Sequence, residues 1–172
     1  MNRRTALAVT TMALSGAALS ASSAGAQQKP LKDQLVGIWR ALSAETTGPN
    51  GAKQQFYGAP AKGILILDAS GIYAQVLARP GRPKFKSIDR FSLEATPEEL
   101  KVAVTGTVAT FGTWSFNEAD KVLSRRPEAS LLPNDEGIEQ KYSVTLAGDE
   151  LKTTTVNSLT GLKTEVVYRR AK

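Results

Sequence analysis

Short strand-like runs separated by turn residues succeed one another along this chain, most clearly between residues 63 and 79. There "GILILD" is apolar on both faces, "DASG" at 68 to 71 is a tight turn of the Asp-x-x-Gly type, and "IYAQVLAR" at 72 to 79 returns. The pattern predicts an antiparallel hairpin. On its return strand Ile72, Ala74, Val76 and Ala78 take one side, and Tyr73, Gln75, Leu77 and Arg79 the other. A first strand opens at Gly37 and runs through about residue 45, preceded by one short helical turn in "PLKDQLVG" and followed by the loop "TTGPNGAK". Further strands are expected near 109 to 116, 121 to 128, 138 to 147, 150 to 157 and 163 to 170, with turns at "NEAD", "AGDE" and "SLTG". Weaker segments near 52 to 58 and 87 to 94 bring the total to eight to ten.

One helix is signalled. Thr96-Pro97-Glu98-Glu99 supplies a capping Thr, a Pro at the first helical position and a Glu three residues after the cap. The spacing predicts a helix over 97 to 106, with Leu100, Ala103, Val104, Thr107 and Val108 on one face and Gly106 loosening its end. Because no long helices alternate with the strands, a parallel sheet is disfavoured. The expected fold is all-β: an antiparallel up-and-down barrel of eight to ten strands with one short helix capping its mouth, a size that closes around one small ligand.

The first residues stand outside that pattern. "MNRRTALAVTTMALSGAALSASSAGA" has the zones of an export signal: Arg3 and Arg4, an uncharged apolar stretch, and the small-x-small triplet Ala24-Gly25-Ala26. The stretch is too short and mild for a spanning helix, so no stable membrane insertion is expected. Cleavage is expected after Ala26, giving a periplasmic or secreted protein, by either the general or the twin-arginine route. Removing 26 residues from 172 leaves 146, one domain from Gln27 to Lys172, expected to be a monomer. The leader holds two Arg and no acid, so 20 basic residues face 16 acidic ones in the remainder. That mild excess, without a long Lys/Arg run, argues against a nucleic-acid partner.

Composition narrows the chemistry further. Zero Cys means no disulfide framework, so stability comes from the core. Zero His with zero Cys removes the imidazole base, the thiolate nucleophile and the ordinary zinc or copper ligand set, and no metal or cofactor is expected.

Both tryptophans follow a Gly by two residues, in "LVGIWRALSAE" and "TFGTWSFNEAD". Gly37-x-Trp39 begins the first strand, while Arg169 and Arg170 end the last. In a closed meander those strands pair, so Gly37, Trp39 and Arg169 are read as the closure, with a guanidinium on the indole. "LVGIWRALSAE" resembles the opening of the bacterial lipocalin-like domain family, and Gly-x-Trp is similar to the signature of the wider lipocalin superfamily. "GILILDASGIYAQVLARPGRPKF", "TPEELKVAVTG", "FGTWSF" and "ASLLPNDEGIEQKYSVTLAGDELKTTT" resemble that family's later segments in the same order. The resemblance implies a barrel with an internal cavity. Two positions depart from the family: it often has a His where this chain reads "KVLSRRPEAS", and often an Arg where Lys141 stands, so no reaction resting on those side chains is implied.

The expected ligand-binding set is Tyr73, Gln75, Leu77, Phe111, Trp114 and Tyr142 inside, with Arg79 and Arg82 on a basic rim in "RPGRPKFKSIDR". Tyr142 is placed inward by its alternation with Ile138, Val144 and Leu146, and Phe111 and Phe116 fall on opposite faces of their strand. Arg125-Arg126 beside Glu128 reads as an exposed strand with local pairing. The functional expectation is non-catalytic binding of a small hydrophobic molecule, anionic if the rim steers it. Two alternatives stand beside it: a barrel isomerase or cyclase using Tyr73, Tyr142 or an inward carboxylate for proton transfer, and a packed barrel whose surface does the work.

Overall fold

The computed structural model describes residues 29 to 86, 89, 94 to 158 and 160 to 172. The expected leader with its cut after Ala26, and most of the weak segment at 87 to 94, lie outside the described residues. Elements follow in the order α1 (Leu31–Leu35), β1 (Gly37–Thr47), β2 (Lys53–Gln54), β3 (Lys62–Leu67), β4 (Ile72–Ala78), α2 (Pro97–Thr105), β5 (Thr107–Asn117), β6 (Val122–Ser130), β7 (Gln140–Ala147), β8 (Glu150–Val156) and β9 (Lys163–Arg170), with a turn of 3-10 helix at Pro133–Asp135. Each of β3 to β9 pairs antiparallel with its neighbour in sequence, and β1 pairs with both β3 and β9. Eight strands therefore close into a barrel, leaving β2 as a short extra strand on the far end of β1. Closure leaves the eight without a free edge.

The predicted hairpin is present, with Leu67 opposite Tyr73 and Lys62 opposite Ala78. Its turn is fixed by Asp68, whose Oδ1 accepts from the Ser70 amide at 2.8 Å, and by Gly71 at φ 91°. Hydrogen bonding from the Ser70 side chain, and next from its amide, holds the Asp68 carboxyl below the usual carboxylate range. Two bulges bend the wall. Leu42 is the extra residue of β1 between the pairs Ala41 with Tyr168 and Ser43 with Val167. Glu128 is the extra residue of β6 between the pairs Phe111 with Ala129 and Gly112 with Pro127. The bulge also admits Pro127, which has no N–H for a ladder.

The two Gly-x-Trp motifs sit at the same end of the barrel, here called the floor, where β1, β4 and β9 meet α1 and the β3–β4 turn. Trp39 is fully buried and its Nε1 donates to the Leu35 carbonyl at 2.8 Å; Trp114 Nε1 donates to the Asp68 carbonyl at 2.9 Å. Each indole thus plugs the floor and ties it to a connecting segment. The glycines serve different needs. A Cβ on Gly112 would lie 2.1 Å from the Arg126 carbonyl oxygen across the bulge, and one on Gly37, at φ 144°, would lie 2.8 Å from Arg170 Nη1. The rest of the floor is Leu35, Leu65, Leu67, Leu123 and Leu151, all within 1% of full burial.

Helix α2 carries the capping box read from its sequence: Glu99 N donates to Thr96 Oγ1 at 3.2 Å and Thr96 N to Glu99 Oε2 at 2.8 Å. It lies in the β4–β5 connection at the opposite end, the mouth, where Arg79 N donates to the Gly106 carbonyl at 2.8 Å. None of its residues is buried. The expected apolar face is not assembled, because Thr107 and Val108 belong to β5 while Leu100 and Val104 are exposed.

Candidate functional site

Inside the barrel, above the floor, lies a layer of polar side chains that crosses from wall to wall. Gln75 on β4 is its hub: its Nε2 donates to the Tyr168 hydroxyl on β9 at 2.8 Å, and its Oε1 accepts from Arg125 Nη1 on β6 at 2.7 Å. The Arg125 guanidinium lies 3.8 Å from the centre of the Tyr142 ring on β7 and 5.1 Å from that of Tyr73 on β4. Tyr73 Oη and Thr110 Oγ1 on β5 are 3.1 Å apart. Five strands therefore contribute to one connected network, with Gln75 6% and Arg125 4% exposed. Such a layer is polar enough to orient a ligand, while Leu77 and Val108, paired across β4 and β5, supply apolar wall toward the mouth.

Electrostatically the layer is cationic. Burial pushes the Tyr168 hydroxyl up to about 12, and burial likewise raises that of Tyr73. Both phenols are neutral at ordinary pH, and no Asp or Glu is among the buried described residues. A guanidinium does not shed its proton in a protein.

Tyr73, Gln75 and Leu77 line the interior, as their shared face implies. Tyr142 packs inward over Arg125, its hydroxyl donating to Gln140 Oε1 at 2.6 Å. Ile138, expected in line with it, precedes β7 and is exposed. Trp114 is 6% exposed and belongs to the floor, away from the network's hydrogen bonds. Arg79 and Arg82 stand at the mouth, where Arg79 Nε donates to the Phe56 carbonyl at 2.6 Å and Arg82 Nη1 to Thr107 Oγ1.

Three expectations are corrected. Phe111 does not line the interior. It is 50% exposed, because β5 turns its even-numbered residues inward, from Thr110 to Phe116, and leaves Phe111 in an outer row with Ile38, Ile66, Ala74 and Ala129. The closure cation is Arg170, not Arg169. Its guanidinium lies 4.1 Å from the centre of the Trp39 ring, and its Nη1 and Nη2 donate to the carbonyls of Val36 and Gln34 at 3.1 and 2.6 Å, satisfying the open end of α1. Arg169 is one residue out of phase and exposed. Arg125, read as part of an exposed strand, is buried, because β6 turns Leu123, Arg125 and Pro127 inward together. Sequence reasoning also missed Tyr168, whose phase with Val166 marks it as inward.

Among solved structures, the chain is similar to a redesigned β-barrel (11% identity, TM-score 0.43, 84% of this chain and 98% of that one). It is also similar to secretory abundant heat soluble protein 4 from Ramazzottius varieornatus (14%, 0.37, 80% and 94%) and to a single-substitution mutant of the fluorescent protein UnaG (13%, 0.36, 81% and 97%). No curated protein matches it. The model of the lipocalin-like domain matches residues 36–171, nearly the whole described barrel, and the chain belongs to the lipocalin-like domain family.

Proposed function

We propose that this protein is an exported binding barrel that holds one small, mainly hydrophobic molecule in its interior and does no chemistry on it. The observation that carries this reading is the polar layer. A barrel built for stability alone gains nothing from a buried guanidinium, since desolvating a cation is expensive and apolar replacements are often as stable or more so. Polar groups converging within apolar walls are what orient a bound small molecule. Leucine and valine walls above the layer, Leu77 and Val108, suit an apolar ligand body. Export is supported by the leader ending at Ala24-Gly25-Ala26.

The test is titration of the protein lacking residues 1 to 26 with fatty acids, flavonoids and environment-sensitive dyes. Saturable binding of one probe per chain, with a change in tryptophan fluorescence, is expected. Leu77→Trp should weaken it by filling the space beside Val108. Absence of saturable binding across all three classes would favour the packed barrel instead. N-terminal sequencing of the periplasmic fraction checks export: a chain starting at Gln27 is expected, and one still starting at Met1 overturns it.

A further inference from the structure

Arg125 is the one charged side chain among the buried described residues, and it takes part in none of the described ion pairs. The described ion pairs involve Lys53, Lys152 and Arg170, all at least partly exposed. Asp135, whose field reaches Tyr73, stands within 3.5 Å of Ser130 Oγ instead. Arg125 Nη1 is used by Gln75, but Nε is buried with no hydrogen-bond partner. Among the described residues no hydrogen bond is made by Nη2 either. The Nε–Nη2 edge of a guanidinium is a planar fork whose two parallel N–H groups match the two oxygens of a carboxylate. The ring of Tyr142 lies against the guanidinium, 3.8 Å from its central carbon, and an aromatic face holds a cation without neutralising it.

Resting on the interior-binding reading above, we infer that Arg125 is the seat for the carboxylate of an otherwise apolar ligand, which enters head first and leaves its apolar body against Leu77 and Val108. The charge that selects the ligand is therefore inside the barrel rather than on the rim. Because Nε is shielded, the incoming carboxylate displaces a neighbour to reach that edge, while the Tyr142 ring stays on the face of the guanidinium. Gln75 keeps the guanidinium oriented throughout through its bonds to Arg125 and Tyr168.

The experiment compares dodecanoate with dodecan-1-ol, equal in chain length and different only in the head group. The protein should bind the acid at least about tenfold more tightly, the scale of a charge-assisted pair. That preference should survive about 0.5 M salt, which screens exposed rim charges but not a buried one. In Arg125→Met the two affinities should converge to within about twofold, the scale of less than half a kcal/mol. The nitrogen resonance of Arg125 Nε in the unaltered protein should move with dodecanoate and stay in place with dodecan-1-ol, which decides the matter even if Arg125→Met does not fold. Equal binding of acid and alcohol overturns the carboxylate seat and leaves the binding barrel standing. Saturable binding of neither overturns both.

Discussion

The floor and the polar layer are built from the same strands, a few residues apart, yet they follow opposite rules. At the floor, Trp39, Leu65, Leu67, Leu123 and Leu151 exclude water almost completely, and each polar atom that enters has a fixed partner: both indole N–H groups reach carbonyls, and Arg170 spans Val36 and Gln34. In the layer above, Gln75, Arg125, Tyr73 and Tyr168 replace leucines, and one buried donor has no partner. The two arginines make the contrast concrete. Arg170 also stands 3.5 Å from Asp149 and lies on Trp39, so its charge is used in the fold, whereas Arg125 keeps a buried Nε–H without a partner. Stability is concentrated at one end of the barrel, and unsatisfied chemistry in its middle.

If that division is right, the largest loss follows from opening the floor. Trp39→Ala should destabilise by about 3 to 5 kcal/mol, the usual cost of truncating a large buried aromatic, and chemical denaturation reads it directly. An unchanged midpoint would mean that the seal lies elsewhere.

The layer, by contrast, should declare itself through pH. Tyr168 titrates near 12 in the fold against 10.0 when exposed, so the unfolded chain releases its proton first as pH rises. The stability this provides is complete below pH 10 and is lost between about 10 and 12, amounting to about 3 kcal/mol. Denaturant midpoints measured from pH 8 to 12 should fall more steeply in the unaltered protein than in Tyr168→Phe. The variant should keep a shallower slope, since the hydroxyls of Tyr73 and Tyr57 are raised by burial too.

Farther from both regions, Thr96→Ala removes the cap of α2, a helix with no buried residue, and should cost about 1 kcal/mol or less. Smallest of all is the expected effect of Arg125→Met on stability, within about 1 kcal/mol: relief of a buried charge offsets the lost bond to Gln75. A loss comparable to that of Trp39→Ala would place Arg125 among the floor's structural residues and erase the distinction.

Much of the barrel was legible because its signals are local. Hairpin turns at Asp68-Gly71 and at "AGDE", the capping box at Thr96 and Glu99, and the Gly-x-Trp pair each specify their own neighbourhood. The site was legible along β4, where alternation is unbroken and Tyr73, Gln75 and Leu77 share a face, and at Tyr142, whose phase follows Val144. The errors at Phe111, Arg125 and Arg169 have one cause, the phase of a strand. In β5 the phase is set by Trp114, in β6 by Leu123 and in β9 by Val166, and residues two apart from these turn inward, in β6 only as far as the bulge at Glu128. Charge at Arg125 argued for solvent and aromatic character at Phe111 argued for the core, and phase outranks both. What alternation alone does not carry is distance across the barrel, so the meeting of Gln75 with Tyr168 and Arg125 emerges only from closure.

Binding in the polar layer inside the barrel is read out by mapping chemical shifts of the labelled protein through a titration with dodecanoate. Saturable, one-to-one changes are expected at Leu77, Val108, Tyr73 and Arg125, with the outer row of Ile38, Ile66 and Phe111 left in place. Changes confined to that outer row, with the interior silent, would contradict it.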